Sequence, residues 1–438
     1  MRRMIIQYFF YGVTRMKSQT SRFLVSLLFL CTVLAWTNQQ SHAMDAGPGD
    51  VNGNGTINLL DGALLQDHIL MRATLDGDPL DRADANQDGK VDVADLISMQ
   101  SMFAFPIIEM VSIPAGTFIM GARDDLDDGE YAGDDEYPRH EVTLSAYQIG
   151  KYQVTNGQYS KVLNYALSKG YLENSDGSPY GEGFVYHNGI ALVDIDIVDE
   201  DSQILYVDGS FTWKNREGFS MENHPVVEIT WDGCVAFCNW LSEMEGRTPA
   251  YDLSTWELVE QFGEGYRLPT EAEWERAAAW DTSPEGKHWI YGFMSDTLTG
   301  RNRCNYDTQY TTITESTVNP CGFTTRPKTC PVGWFNGINI NPNGNVQTID
   351  SPSPVGCYDM SGNVWEWCHD WYDSNYYKGG AMTDPTGPAS GPGRVLRGGA
   401  WFRWARYCRT ATRANLPRGT PDSARSCMGF RVALSSPD

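Results

Sequence analysis

Positive charge is scarce in this chain. Against 56 Asp and Glu it carries 33 Lys and Arg, a formal net charge of −23 at pH 7. Such a surface repels the phosphate backbone of nucleic acid and the face of an anionic membrane, so neither is expected as a general partner. Long apolar runs are few as well. One extends from Phe23 to Trp36, short of the roughly 20 residues a membrane helix needs. No second run of that length follows, and no membrane span is expected.

The apolar run is preceded by Arg2, Arg3, Arg15, Lys17 and Arg22, with no acid, and is followed by Ser41-His42-Ala43. A basic segment, an apolar segment and an A-x-A-like site in that order predict a signal peptide over residues 1–43, and with it a secreted, periplasmic or cell-surface protein. Cys31 lies inside the apolar run without the small residue expected before a lipidated cysteine. With five of the 33 basic residues in the leader, the mature chain has 28 against 56 acids, a net −28. Nine of the ten cysteines also remain, in a compartment where disulfides persist. An odd number leaves at least one thiol unpaired within the chain.

From Asp45 to Phe105 the acids fall into two similar blocks. The first places Asp50, Asn52, Asn54, Thr56, Asn58 and Asp61 at positions 1, 3, 5, 7, 9 and 12 of a loop. The second places Asp84, Asn86, Asp88, Lys90, Asp92 and Asp95 at the same positions, and Gly55 and Gly89 stand at position 6. Oxygen ligands at this spacing wrap a hard cation, with the carbonyls of Thr56 and Lys90 at position 7, and predict two calcium sites. Each loop runs into an apolar helix, Leu59 to Met71 and Val93 to Phe103. Both loops end in Asp rather than Glu, and one helix follows each. In these respects residues 48–105 resemble a dockerin module, which implies a cohesin-like protein partner.

Beyond Pro106 the composition becomes aromatic and Gly-rich. Alternation predicts strands within Ile113 to Gly121 and over His140 to Leu144. Helical spacing predicts Thr230 to Met244, and a capping box of Thr270 and Glu273 opens a helix to Ala279. Much of the remainder, including 302–350, reads as loop. The segments IPAGTFIMG, HEVTL, IGKYQVTNGQY, HPVVEITW, YRLPTEAEWERAA, YDMSGNVWEW, RVLRGGAW and GFRVAL occur in that order. They resemble the sulfatase-modifying-factor family, whose founding activity is formylglycine generation. The resemblance covers about Ile113 to Leu434, with an insertion near 166–222. It implies an α+β, loop-rich fold related to C-type lectins over 106–438, behind the small all-α module.

Formylglycine-generating members carry two cysteines five residues apart after the RGG turn, which bind copper. Here the second matches Cys408, but Arg403 stands at the first position, so a linear copper site of two soft thiolates is not expected. A related branch uses iron on an H-x3-H-x-E helix. No two of the seven histidines are four apart, which excludes that arrangement, and His140 and His224 read as structural. The resemblance also implies calcium at Asp359, Gly362, Val364 and Glu366, and a second site beginning at Asn305 and Tyr306. For Cys408 it suggests a disulfide with Cys368.

Nine arginines fall between Arg394 and Arg431, against the single acid Asp422. Among them Arg403, Arg406, Arg409 and Arg413 are candidates for a surface that binds an acidic ligand, since guanidinium pairs bidentately with carboxylate. Arg397 and Arg431 read as internal tethers. Two functions follow as expectations. One is a binding or scaffold domain for a protein, peptide or glycan; the other is an oxidoreductase acting on a protein or peptide through Cys408.

Overall fold

The computed structural model describes residues 107–436 apart from 125, 175–182, 261–262, 281–285, 308–318, 343–345 and 418–423. The expected leader and both metal loops, Asp50 through Asp95, lie outside the described residues. Chain contacts set a second unit, Ile108–Asp438, apart from Met1–Ile107.

The second unit is a mixture of short strands and three main helices. Its first and last strands share one sheet: Met110–Ile113 and Ala433–Ser435 both pair antiparallel with Tyr147–Gly150. A second sheet joins Gly116–Met120 to His140–Leu144, with Met382–Thr383 added in parallel. Alternation decides which side faces in. Phe118, Met120, Val142 and Leu144 are buried, while Thr117 and Glu141 are exposed. The third sheet has the order Ala414–Leu416, Arg394–Arg397, Trp365–Trp371, Met428–Gly429.

Both helices expected in the large domain are present, each opened by its threonine. Thr230 Oγ1 accepts from Gly233 N at 3.0 Å and caps Trp231–Met244, whose first twelve residues are all buried. Thr270 and Glu273 form the capping box of Glu271–Ala279. That second helix is buried on every side although it carries three glutamates. Buried carboxylates require partners, and each glutamate has an arginine from another segment. Glu273 receives both Nη atoms of Arg267 at 2.7 Å, Glu271 pairs with Arg413 at 2.7 Å, and Glu275 pairs with Arg397. The helix is thereby fastened to the third sheet.

The insertion is not a bare loop. It contains the hairpins Phe184–His187 with Ile190–Asp194 and Ile204–Val207 with Ser210–Trp213. They turn at Asn188-Gly189 and Asp208-Gly209, all four residues at positive φ, the geometry two-residue hairpin turns require.

Candidate functional site

The end of the Arg394–Arg397 strand runs into Gly398 and Gly399, at φ of 93° and 78°. A Cβ on Gly399 would stand 2.7 Å from both Cys408 Sγ and the Tyr407 carbonyl, so only glycine lets the chain turn this close beneath the thiol. The turn docks on Ser361–Val364. Gly362 N donates to Gly398 O at 2.7 Å, Trp401 N to Asn363 O at 2.8 Å, and Ser361 Oγ to Cys408 O at 2.7 Å. Asn363 holds three further segments together. Its side chain donates to Gln153 Oε1 and accepts from Cys330 N and Asn305 Nδ2. The sequence reading assigned Asn363 no role, although its own φ of 65° fits the Asn and Gly tolerance of that conformation.

Cys408 is fully buried, and burial pushes its thiol up to about 12. It lies in an apolar cluster with Ile290, Tyr291, Tyr306 and Cys304. Burial, and after it the nearness of Cys408, also raises the Cys304 thiol well above its ordinary value. Arg403 lies at the cluster's outer edge, where its carbonyl accepts from Asp307 N at 2.8 Å.

The expected Cys368–Cys408 disulfide is corrected: both cysteines are unpaired and sit in different apolar clusters. Residues alternate across a strand, and Cys368 shares the face of Glu366 and Asp370. That face turns toward Trp274 and the Glu271 backbone N–H, whereas Cys408 lies beneath the Gly399 turn. Among the described residues the disulfide is Cys321–Cys330, with Cα atoms 5.7 Å apart.

In the calcium set that the resemblance implies around Glu366, that carboxylate is already engaged by other side chains. Its Oε1 accepts from Gln153 at 2.9 Å and Arg431 Nη2 at 2.8 Å, and its Oε2 from Trp274 at 2.8 Å and Arg431 Nε at 2.6 Å. Four donors fill the roughly four lone-pair directions of a carboxylate, and the guanidinium already balances its charge. Asp359 instead accepts from Gly333 N at 2.7 Å, and burial pushes its carboxyl up to about 6. Gly362 serves the turn contact, and Val364 O faces the Gln153 amide at 3.4 Å. Asn305 directs its amide to Lys328 O and Asn363, and Tyr306 packs beside Cys408. Among the described residues no three acidic, cysteine or histidine groups stand ready around one metal position.

The arginine strip divides in two. Arg409 is buried and pairs with Glu136 at 2.7 Å on both Nη atoms and with Asp128 at 2.6 Å. Arg413 is half-buried and joins Glu271. These two are tethers, a correction to their expected place on a ligand surface. Arg403 stands over Phe402 and Tyr407 at 4.7 and 5.5 Å, and Arg406 over Trp404 and Tyr407 at 4.5 and 4.9 Å. All of Trp401 through Tyr407 is half-buried. The segment is a ridge of alternating aromatic and guanidinium groups, able to meet flat apolar faces and anions together.

Residues 98–436 match the family described as sulfatase-modifying factor enzyme 1-like domain. The chain belongs to this family. Residues 48–103 match a dockerin type I domain. The sulfatase-modifying-factor region is 31% identical to a formylglycine-generating enzyme of Streptomyces coelicolor, covering 74% of this chain and 88% of that one. It is 26% identical to the mouse protein named inactive C-alpha-formylglycine-generating enzyme 2, over 75% of this chain and 86% of the other. PvdO from Pseudomonas aeruginosa aligns at a TM-score of 0.47 and 22% identity, covering 76% of this chain and 96% of that one.

Proposed function

We propose that the chain is an exported binding protein of the sulfatase-modifying-factor family, tethered to a cohesin-like partner through a calcium-loaded dockerin module and lacking formylglycine-generating activity. Arg403 carries the reading. It stands where the resemblance expects the first of two copper-binding cysteines, while Cys408 is a buried, protonated thiol. A guanidinium neither binds Cu(I) nor accepts its charge nearby, so the described residues do not fit copper at that pair of positions. The ridge from Trp401 to Tyr407 then serves as the contact surface for a protein, peptide or glycan. The relative named inactive supports such a reading; the relatives named formylglycine-generating enzyme support the other.

That other reading is an oxidoreductase acting on a protein or peptide through Cys408. One observation favours it: Cys304 lies in the same cluster as Cys408, so two thiols are neighbours after all. Incubating the purified chain, with copper and a reductant, with a CxPxR peptide separates the two. The peptide is expected to be recovered unchanged by mass spectrometry. Loss of its cysteine sulfur as formylglycine would replace the binding reading with the second one.

A further inference from the structure

The arginines of this domain divide by what they hold. Arg267, Arg397, Arg409, Arg413 and Arg431 each grip a carboxylate. Arg403 and Arg406 grip none among the described residues. Arg403 Nε is buried without a hydrogen-bond partner, and so is Arg406 Nε. Arg406 Nη2 donates to Tyr407 Oη at 3.1 Å, a neutral acceptor. The chain has 56 acids against 33 bases, yet two half-buried guanidinium groups stand where no carboxylate approaches them. Partly desolvated charge of this kind is costly until an opposite charge meets it.

Other segments add positive charge to the same place. Arg326 lies over Trp401 at 5.8 Å and donates to Ser426 Oγ at 3.2 Å, while Trp401 Nε1 donates to Ser426 O at 3.1 Å. Its carboxylate partner, Asp201, is 3.4 Å away, and the Arg326 side chain stays 64% exposed. Burial pushes the Cys427 thiol up to about 12, and the charges of Arg403, Arg425 and Arg326 all oppose that rise, so three guanidinium groups surround one thiol. Arg425 is itself exposed.

From these contacts we infer that the ridge from Trp401 to Tyr407 docks an extended acidic peptide segment of a partner protein, whose Asp or Glu side chains pair with Arg403 and Arg406. The inference rests on the binding reading above and names the chemistry of its partner. Charge complementarity selects an acidic ligand. The rings select a peptide over a glycan, because a sugar stacks on a bare aromatic face. Here Phe402 carries Arg403 at 4.7 Å, and Trp404 and Tyr407 carry Arg406 at 4.5 and 4.9 Å. A guanidinium stacked in this way is held in place while its planar fork still matches a carboxylate.

The test is fluorescence anisotropy of the full chain with a labelled peptide of alternating glutamate and glycine. A chain of net charge −23 repels such a peptide elsewhere, so binding reports a local basic site. Wild type is expected to bind it and to lose about tenfold in affinity between about 50 and about 300 mM salt, as the charges are screened. Arg403→Gln/Arg406→Gln is expected to weaken binding about tenfold or more. Arg425→Gln, altered at an exposed position, is expected to weaken it about threefold, and decides the matter if the double variant does not fold. No binding by wild type, equal binding by the folded variants, or tighter binding of a sulfated oligosaccharide than of the peptide would overturn the inference and leave the binding reading in place. Formylglycine formation in the CxPxR assay would overturn that reading instead.

Discussion

Glu366 and Arg431 face each other as a fully buried bidentate pair, with Nε and Nη2 donating at 2.6 and 2.8 Å. Arg431 also donates to the carbonyls of Gly150 and Tyr358, so one guanidinium ties the third sheet to the strand at the start of the domain. The pair answers for a glutamate that a metal would otherwise have to satisfy.

Glu366→Gln is therefore expected to leave the calcium count of the full chain unchanged while lowering stability by about 3–5 kcal/mol, the cost of leaving one buried charge unpaired. Urea unfolding read beside metal analysis checks both parts. A count reduced by one, with stability retained in EDTA, would show that Glu366 is a ligand after all.

Two arginines three residues apart are expected to behave oppositely. Arg409→Ala removes the bidentate partner of Glu136 and strands Asp128, at a cost of about 3–5 kcal/mol. Arg406→Ala removes half-exposed cation–π contacts, worth about 0.5–1 kcal/mol. Midpoints from denaturant titration distinguish them, and equal losses would contradict the division of the strip into tethers and ridge.

Asp370 supplies a pH dependence. It is fully buried beside Glu271, and burial first, then the Glu271 charge, raises its carboxyl well above the ordinary 3.8. A folded state that holds this proton more tightly than the unfolded chain gains stability below the ordinary value. That contribution fades as pH rises from about 4 toward the raised value. Asp370→Asn, which keeps an oxygen to accept from Glu271 N, is expected to flatten this part of the stability curve. Thermal melts from pH 4 to 9 compare the two, and parallel curves would count against the assignment.

Local signals were legible in the sequence wherever the residue itself sets the backbone. The Thr270 cap fixed one helix start, helical spacing placed the other to within one residue of Trp231, and the alternation at His140–Leu144 gave the strand as read. The hairpin turns at Asn188-Gly189 and Asp208-Gly209 were equally legible and were passed over inside a segment treated as insertion. Pairings between distant segments were not legible. Nothing near Glu366 in the sequence indicates that Arg431 will reach it, and nothing separates Arg409 from Arg403 until Asp128 and Glu136, more than 270 residues earlier, are seen to meet it. Strong local motifs around GNVWEW suggested a metal because a buried glutamate needs a cation, and a guanidinium meets that need equally well.

The cysteines give the last prediction. In the oxidised protein, Cys321 and Cys330 are expected in one linked peptide, and Cys368 and Cys408 as separate thiols, since one faces the buried helix and the other lies beneath Gly399. Their burial raises Cys408 to about 12 and Cys368 well above its ordinary value, and because the thiolate is the reactive form, both are expected to resist alkylation until the domain unfolds. Alkylation of the native chain, then of the denatured chain, followed by non-reducing peptide mapping, reads pairing and protection together. A Cys368–Cys408 linkage would refute the placement of these two residues. A Cys304–Cys408 linkage would contradict the expectation of a free Cys408, and would show that the thiol facing it comes from position 304 instead of the arginine at 403.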